Sequence, residues 1–292
     1  MLPDKKIKAI LREQKLAPKK RFGQNFLINK NISAKIVRLA GIRQEDTIVE
    51  LGVGFGALTS HLATVCKYVI GIEIDSGIVR YHEKEGTLPE NVVLIHQDIM
   101  AADFAKLAEK SGGRIKIIAN LPYSISNPLL FKLTDYIDKI EWAVLMLQKE
   151  VAVRLSAKAG TKNYGILTVR MAACASVQKL LDLGPQHFHP RPKVDSQVVK
   201  ITFFPKPERA AALPDCDQIF FKKIVDAAFQ QRRKTLINAL SSSTLVGKDK
   251  KYIETALEKL GLDKKIRGER LNVEDFVALT NILQQNERTG CK

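Results

Sequence analysis

The segment that most restricts how this chain can fold is a glycine-rich turn that directly follows a short run of β-branched residues. Residues 47–51 read Thr-Ile-Val-Glu-Leu, and residues 50–57 read Glu-Leu-Gly-Val-Gly-Phe-Gly-Ala. Glycines let the backbone turn sharply and come close to a ligand, and the N-terminus of a following helix would face the same ligand. A strand, a glycine turn and a helix in this order are typical of α/β domains that bind a nucleotide.

Short apolar runs continue to alternate with helix-like stretches after this turn. We predict helices over residues 57–65 and 77–85, and strands over residues 47–51, 68–73, 92–96, 114–119 and 142–147. Strands separated by helices favour right-handed crossovers and a parallel sheet. Two further strand-like runs, residues 176–183 and 196–204, have no helix between them, so the sheet is expected to end in an antiparallel pair.

The chain changes character near residue 205. Residues 205–214 contain three prolines and are the predicted linker. The pattern beyond them is helical, with Asn272 as an N-cap candidate and helices over residues 219–229, 234–240, 252–260 and 273–285. We therefore predict a Rossmann-like α/β domain over residues 1–205, which includes a basic N-terminal arm, and a small all-α domain over residues 206–292.

Positive charge is the most informative property of the composition. The formal net charge of the 292 residues is +16 at neutral pH, which indicates a polyanionic partner. Residues 1–21 hold eight Lys and Arg residues against two Asp and Glu residues. A second cluster, Arg232, Arg233 and Lys234, lies late in the chain. Two separated basic clusters suit an extended phosphate backbone better than a small acidic metabolite.

The same sequence argues against several other classes of protein. No apolar run approaches the length of a membrane span, and the first residues lack the apolar stretch of a secretory signal, so we expect the cytoplasm. Four cysteines lie far apart without a histidine at ligand spacing, which argues against a zinc site and a disulfide framework. We therefore predict no metal and no membrane partner, and we expect a monomer.

The glycine turn by itself fits two cofactors. Gly52, Gly54 and Ala57 match the dinucleotide fingerprint G-x-G-x-x-G/A, which indicates NAD. The same turn also suits S-adenosylmethionine. Glu73, at the end of the second strand, fits both, because either cofactor presents a ribose diol to a bidentate carboxylate. This motif alone leaves the two cofactors equally supported.

Two later features favour S-adenosylmethionine. Asp98 follows the third strand, where its carboxylate can accept from an adenine amino group, although a helix N-cap role fits its position equally well. Asn-Leu-Pro-Tyr, residues 120–123, follows the fourth strand, at the sheet edge where ligands of such folds bind. A hydride-transfer enzyme has no use for this tetrapeptide there, whereas an enzyme that methylates an amino group does.

The tetrapeptide suits an adenine amine, which is a poor nucleophile because its lone pair is delocalised into the ring. The Asn120 side-chain oxygen and a backbone carbonyl, that of Leu121 or Pro122, can hold the amine so that its nitrogen pyramidalises. Pro122 fixes the turn that aims the carbonyl, and Tyr123 offers a ring on which a flipped-out base can stack. We predict that Asn120, Pro122 and Tyr123 are catalytic.

Four segments that span essentially the whole chain carry a family resemblance. They are residues 20–27 (Lys-Arg-Phe-Gly-Gln-Asn-Phe-Leu), 50–56 (Glu-Leu-Gly-Val-Gly-Phe-Gly), 120–126 (Asn-Leu-Pro-Tyr-Ser-Ile-Ser) and 188–196 (Phe-His-Pro-Arg-Pro-Lys-Val-Asp-Ser). They resemble the ribosomal RNA adenine N6,N6-dimethyltransferases, most closely the bacterial small-subunit (16S) enzymes. The resemblance implies a Rossmann-like S-adenosylmethionine-dependent methyltransferase domain with a small helical RNA-binding domain. It also implies a substrate, two adjacent adenosines near the 3′ end of small-subunit rRNA, methylated during ribosome biogenesis.

The resemblance further implies roles for individual residues. It places in the cofactor site Asn25, Leu27 (through its backbone), Gly52, Glu73, Asp98 and Asn120. It makes Phe188 a catalytic residue, the second face of an aromatic sandwich with Tyr123. From the sequence alone, a place in the core would be the better prediction for Phe188.

The remaining candidates concern RNA binding and proton transfer. Given the charge and the resemblance, Arg232, Arg233 and Lys234 are predicted to contact rRNA phosphates rather than to form a solvated helix face. Arg154 is a weaker candidate for the same role. The histidines that flank Phe188 are interpreted as structural, because the amine proton can leave to solvent.

Three alternatives stand beside this prediction. The first is a large-subunit adenine methyltransferase of the macrolide-resistance type, which residues 188–196 and the helical tail disfavour. The second is an NAD-dependent oxidoreductase, which residues 120–123 disfavour. The third is a ribosome-assembly or transcription factor without catalysis, which the intact catalytic motifs disfavour as a sole role.

Overall fold

The computed structural model describes residues 24–205 and 216–285. The basic arm over residues 1–21, and all of the predicted linker except Pro205, lie outside the described residues. The described chain forms two compact units. The first comprises residues 24–152 and 176–203, and the second comprises residues 153–175, 204–205 and 216–285.

Seven of the nine strands in the described part of the chain form one sheet. In chain order the strands are β1 (Phe26–Leu27), β2 (Thr47–Leu51), β3 (Tyr68–Glu73), β4 (Val92–His96), β5 (Ile115–Asn120), β6 (Ile140–Gln148), β7 (Ala175–Leu183), β8 (Phe188–His189) and β9 (Ser196–Phe203). The large sheet has the order β4-β3-β2-β5-β6-β9-β7. Strands β2 to β6 pair in parallel, and β9 runs antiparallel to β6. The predicted mostly parallel sheet with an antiparallel strand towards its end is confirmed.

Helices precede, connect and follow the parallel strands of the first unit. They are α1 (Lys30–Ala40), α2 (Thr59–Leu62), α3 (Ser76–Glu85), α4 (Phe104–Lys110) and α5 (Tyr123–Leu133), followed by α6 (Lys149–Leu155), which continues into the second unit. Three of these helices have a short polar N-cap residue. Asn29, Asp75 and Asp103 accept hydrogen bonds from the first free backbone N–H groups of α1, α3 and α4.

The core of the first unit lies between the sheet and its helices. Ile36 of α1 and Leu62 of α2 pack with Ile48, Ile118 and Val144 on β2, β5 and β6. All five side chains are at most 1% exposed. Each such aliphatic side chain contributes roughly 1.5–3 kcal/mol when it leaves water, so this face of the sheet holds the carboxyl ends of the strands in a fixed arrangement.

Strands β1 and β8 form a separate two-stranded antiparallel sheet. Phe26 lies opposite His189, and Leu27 lies opposite Phe188. The Ile28 N–H extends the pairing by donating to the His187 carbonyl at 2.9 Å. Two-residue strands have no periodicity that a sequence could display, and this pairing was not predicted. It fixes the position of the chain that begins at Asn25.

The second unit is helical. Its helices after α6 are α7 (Ile166–Ala172), α8 (Gln218–Gln230), α9 (Leu236–Ser241), α10 (Lys250–Lys259) and α11 (Val273–Gln285). The last four begin and end no more than two residues from the predicted positions. Phe221, Ile224, Leu240, Leu257 and Phe276 are buried in their common core.

The division of the chain differs in one respect from the single boundary predicted at residue 205. Residues 153–175 belong to the helical unit, and Tyr164, Val169 and Ala173 are buried in its core. The sequence could not show this, because an apolar helix face does not reveal which partner it packs against. No helix in the described ranges is long and apolar enough to cross a membrane.

Candidate active site

A cavity of about 300 Å³ lies where β2, β3 and β5 reach their carboxyl ends. Parallel strands end at the same edge of a sheet, which is why residues far apart in the chain meet there. All six residues predicted for the cofactor site line its wall, namely Asn25, Leu27, Gly52, Glu73, Asp98 and Asn120. Pro122 lines it as well, whereas Tyr123 and Phe188 do not.

The glycine turn forms one side of the cavity. Gly52 and Gly54 have φ angles of +81° and +54°, which L side chains rarely adopt. A Cβ atom on Gly54 would also lie 3.2 Å from the Phe26 ring. The turn continues to residue 58, so the next helix begins at Thr59 and has four residues, not the longer helix that was predicted over residues 57–65.

Glu73 ends β3 and is 5% exposed. Its Oε2 atom accepts from the Gly54 N–H at 2.9 Å, and its Oε1 atom accepts from the Asp75 N–H at 2.9 Å. Burial raises the pKa of Glu73, and the two N–H donors oppose this shift. Each carboxylate oxygen has a second lone pair, so Glu73 can still accept from two vicinal hydroxyls.

Asp98 follows β4. Its position allowed two roles, a helix N-cap and a hydrogen-bond acceptor for a ligand, and the two are compatible. Its Oδ1 atom accepts from the Met100 N–H at 2.8 Å and caps a 3₁₀ turn over Ile99–Ala101. The residue is exposed and lines the cavity. A carboxylate has a second oxygen, so the N-cap does not prevent Asp98 from accepting a hydrogen bond from a ligand.

Asn120 is the last residue of β5, and its side chain has a defined orientation. Its Nδ2 atom donates to the Asn25 backbone carbonyl at 2.9 Å. This donation fixes the amide and leaves Oδ1 as the atom that can accept from a ligand. Because Asn25 directly precedes β1, the β1–β8 pair holds the partner that orients Asn120.

The backbone after Asn120 distinguishes the two candidate carbonyls. Pro122 is the N-cap of α5, and its carbonyl already accepts from the Ile125 N–H at 3.1 Å and from the Ser126 hydroxyl at 3.5 Å. The Leu121 carbonyl precedes the helix and takes no part in this first turn. Of the two, the Leu121 carbonyl is the better acceptor for a ligand amine.

Tyr123 is half-buried at the start of α5. Its hydroxyl forms a 2.7 Å hydrogen bond with Oγ of Ser196, which is 1% exposed at the start of β9. Burial raises the pKa of Tyr123, so the phenol keeps its proton at neutral pH. Ser196 therefore connects the segment over residues 188–196 to the segment over residues 120–126.

Phe188 lies in the core of the first unit and is not among the residues that line the cavity. Its side chain is 2% exposed and packs with Leu27, Ile36 and Trp142. As a residue of β8 paired with β1, it points into the core, and its ring has no face available to a base. No aromatic pair with Tyr123 forms among the described residues. The structure supports the core role that the residue type alone favoured.

Glu50 is a cavity residue to which the sequence analysis assigned no role. It is fully buried at the end of β2, and Thr59 Oγ1 donates to its Oε2 atom at 2.7 Å. Its Oε1 atom has no hydrogen-bond partner among the described residues. Burial raises its pKa from 4.5 to about 8, so the carboxyl is mostly protonated at neutral pH. An acidic residue within an apolar strand was the signal that could have identified it.

His82, on α3, is a second residue that sequence reasoning missed. Its Nε2 atom bonds to the Gly54 carbonyl at 2.7 Å, and its Nδ1 atom bonds to the Thr87 hydroxyl at 2.6 Å. A carbonyl can only accept, so Nε2 carries the proton and Nδ1 accepts from Thr87. Burial lowers the pKa of His82, which favours this neutral form. Glu73 therefore binds the backbone N–H of Gly54, and His82 binds its carbonyl.

The predicted RNA-binding cluster lies in the second unit, between α8 and α9. Arg232 donates to the Tyr164 carbonyl at 2.8 Å and lies 3.4 Å from a Glu269 carboxylate oxygen. Arg233 and Lys234 are exposed, and their side chains have no hydrogen-bond or ion-pair partner in the described part of the chain. Arg154 lies near the end of α6 and is partly buried. Within the cluster, the Arg232 guanidinium is engaged by Tyr164 and Glu269, whereas the side chains of Arg233 and Lys234 are available to phosphates.

Glu50→Gln tests the protonation of the buried carboxyl. The pKa of Glu50 is raised from 4.5 to about 8 in the folded protein, so the folded state holds one more proton than the unfolded state between these values. The free energy of unfolding should therefore fall as pH rises through this range, by at most about 1.4 kcal/mol per pH unit from Glu50. Urea unfolding at a series of pH values should show a flatter dependence for Glu50→Gln than for the wild type.

The control for this measurement is Glu109→Gln, at an exposed position on α4. It makes the same Glu-to-Gln change at the surface and should leave the pH dependence of the wild type unchanged. If Glu50→Gln has the same slope as the wild type, Glu50 ionises as an ordinary surface carboxyl does.

Comparisons with known proteins agree on one family. Residues 16–285 match the family model for ribosomal RNA adenine dimethylase. The chain is 50% identical over 282 residues to ribosomal RNA small subunit methyltransferase A of Desulfotalea psychrophila, with 94% of each chain covered.

Solved structures give the same result. A dimethyladenosine transferase from Plasmodium falciparum is 29% identical with a TM-score of 0.72, covering 89% of this chain and 97% of that chain. A 23S rRNA methyltransferase is 22% identical with a TM-score of 0.62, covering 89% of this chain and 100% of that chain, and shows the fold alone. This chain belongs to the ribosomal RNA adenine dimethylase family, whose members are S-adenosylmethionine-dependent methyltransferases.

Proposed function

We propose that this protein acts as a monomer and dimethylates the N6 amino groups of two adjacent adenosines near the 3′ end of small-subunit rRNA. The curated relative from Desulfotalea psychrophila is named for the small subunit and is 50% identical over 94% of this chain, which supports the small subunit as the partner. The choice of adjacent adenosines rests on the resemblance of the four motifs. This substrate would place the protein in the cytoplasm, as a factor in ribosome assembly.

The residues of the cavity fit S-adenosylmethionine. This ligand carries a ribose diol, an adenine amine and a positively charged methionine portion, and the wall offers a carboxyl group for each. Glu73 would hold the diol, and Asp98 would accept from the adenine amine. The unpartnered Oε1 atom of Glu50 would face the positive charge, which favours the ionised carboxylate. Asn25, Leu27 and Gly52 line the same cavity and would contribute to the remaining wall.

The residues after β5 would prepare the target amine. When bound, S-adenosylmethionine supplies a methyl group on a positively charged sulfur. Asn120 Oδ1 and the Leu121 carbonyl would each accept one N–H of the amine, which draws the lone pair out of the ring and lets the nitrogen pyramidalise. The proton that the amine then loses passes to solvent, so the reaction needs no general base.

The observation that carries this proposal is the hydrogen bond from Asn120 Nδ2 to the Asn25 carbonyl, at 2.9 Å. It leaves the amide oxygen free to accept, in the same cavity that holds the three carboxyl groups. Tyr123, three residues later, has its ring held through Ser196 and would stack on the flipped-out base. Phe188 would support this arrangement from the core rather than contact the base.

The other functions considered from the sequence are less well supported. Membership in a methyltransferase family excludes the NAD-dependent oxidoreductase. The large-subunit substrate has only a structural likeness at 22% identity in its favour, which does not extend to function. A non-catalytic assembly factor would not require the oriented Asn120 amide.

Unmethylated small ribosomal subunits and labelled S-adenosylmethionine test the proposed function. We expect label on small-subunit rRNA, recovered as N6,N6-dimethyladenosine at two neighbouring positions after nuclease digestion and mass spectrometry. Large subunits treated in parallel are the control for the alternative substrate. Label on large-subunit rRNA alone would refute the proposed substrate, and label on neither would refute the proposed activity.

Substitution of Asn120 tests its role in orienting the amine. Asn120→Ala should lower the single-turnover rate on the order of 100-fold, because the acceptor matters most as the nitrogen pyramidalises. Asn120→Asp keeps an acceptor oxygen but loses the donor to the Asn25 carbonyl, so its rate should fall between those of Asn120→Ala and the wild type. Asn127→Ala, at an exposed position on α5, is the control. Equal rates for the Ala and Asp variants of Asn120 would contradict the role.

The cluster of Arg232, Arg233 and Lys234 gives a prediction about RNA binding that is independent of catalysis. Loss of Arg233 and Lys234 together to alanine should weaken RNA binding and flatten the slope of log K against log salt by roughly 0.7–0.9 for each lost phosphate contact. Arg232→Ala is a matched control from the same cluster. Its guanidinium is held by the Tyr164 carbonyl and Glu269, so it should lower stability and leave the salt slope unchanged. The reverse ranking of the two variants would show that Arg232 is the phosphate contact.

A further inference from the structure

We infer that Lys132 is a positioning residue that couples helix α5, which begins at the end of residues 120–123, to the turn that carries Asp98. The inference rests on the proposed function, because it requires the adenine of the cofactor to lie against Asp98. Lys132 is in the last turn of α5. Its side chain reaches the 3₁₀ turn over Ile99–Ala101, which lies between β4 and α4.

Three backbone carbonyls surround the ammonium of Lys132. Its Nζ atom donates to the carbonyls of Ile99 at 3.2 Å, Met100 at 2.7 Å and Ala102 at 2.5 Å. An ammonium has three N–H donors and no acceptor, so each donor has one partner. Nζ also lies 4.9 Å from the centre of the Phe104 ring, whose face attracts a cation.

The turn held in this way forms part of the cavity wall. Asp98, Ile99 and Met100 all line the cavity. The turn has few hydrogen bonds of its own, which run from the Ala101 N–H to the Asp98 carbonyl and from the Ala102 N–H to the Ile99 carbonyl, at 3.0 and 3.2 Å. Such short 3₁₀ segments have weak internal geometry, so the contacts of Lys132 fix where Asp98 lies.

The acidic groups near Lys132 also attract its ammonium, in addition to the hydrogen bonds described above. The carboxylates of Asp98 and Asp103 are the acidic groups that act on Lys132, and they oppose the lowering of the Lys132 pKa by burial. A carboxylate oxygen accepts from an amino group and repels a carbonyl oxygen. Lys132 therefore supports the discrimination between these two groups at the adenine 6-position.

Helix α5 connects the end of residues 120–123 to Lys132. Pro122 is its N-cap, and Ser124 and Ile125 in its first turn line the same cavity. Lys132 is the residue through which the far end of this helix bonds to the turn of Asp98. A displacement of the turn would therefore be transmitted to α5 through the hydrogen bonds of Lys132.

The methyl-transfer product S-adenosylhomocysteine and its inosyl counterpart test the inference by calorimetry. S-adenosylhomocysteine has an amino group at the purine 6-position and an unprotonated N1, whereas S-inosylhomocysteine has a carbonyl at that position and a proton on N1. The wild type should bind the adenosyl ligand at least about tenfold more tightly, the effect of one charge-assisted hydrogen bond. In Lys132→Met, which keeps an unbranched chain without donors, this ratio should fall to about threefold or less. Lys132→Gln retains an N–H₂ group and should give an intermediate ratio, and it carries the test if Lys132→Met does not fold.

Two further variants separate positioning from a general loss of structure. Lys106→Met removes an exposed lysine from the neighbouring helix α4 and should leave the ratio unchanged. Glu73→Gln should weaken both ligands to the same extent and preserve the ratio. An unchanged ratio in a folded Lys132 variant would overturn the inference while leaving the proposed function intact. A wild type that binds neither ligand would refute the proposed function, and the inference with it.

Discussion

The cavity depends on one buried carboxylate that accepts two backbone N–H groups. Glu73 receives hydrogen bonds from Gly54 and Asp75, so a single side chain joins the glycine turn to the start of α3. His82 bonds to the Gly54 carbonyl from the other side. A carboxylate leaves water at a high cost unless such donors replace its hydration. The turn, the end of β3 and the start of α3 therefore keep one arrangement at this side of the cavity.

A second set of contacts holds the side of the cavity where the target base would bind. The Asn120 amide bonds to the Asn25 carbonyl, the Tyr123 hydroxyl bonds to Ser196, and Phe188 packs in the core behind β1. Each of these contacts joins segments of the chain that are far apart in sequence. The segment over residues 188–196 therefore acts through the positions it gives to other residues, because its aromatic ring lies in the core.

The seven strands of the large sheet and the last four helices of the second unit could be predicted because their apolar residues recur with a regular period. The β1–β8 pair could not, since two-residue strands are too short for a pattern. Helix α5 was interpreted only as the turn after β5, because its start lies within the tetrapeptide and because Pro128, a residue that disfavours helix interiors, lies inside it. Helix α2 was predicted too long, because the glycine turn continues to residue 58 and uses residues that have good helix propensity.

The sequence by itself determined which chemical groups meet in the cavity. Glu73, Asp98 and Asn120 each end or follow a strand, and the carboxyl ends of parallel strands lie at one edge of the sheet. Only the tertiary structure decided which groups are free to act. It buried Phe188, occupied Arg232 with Tyr164 and Glu269, and surrounded the ammonium of Lys132 with carbonyls. Burial and hydrogen-bond partners depend on contacts between distant segments, and no local pattern of residues records those contacts.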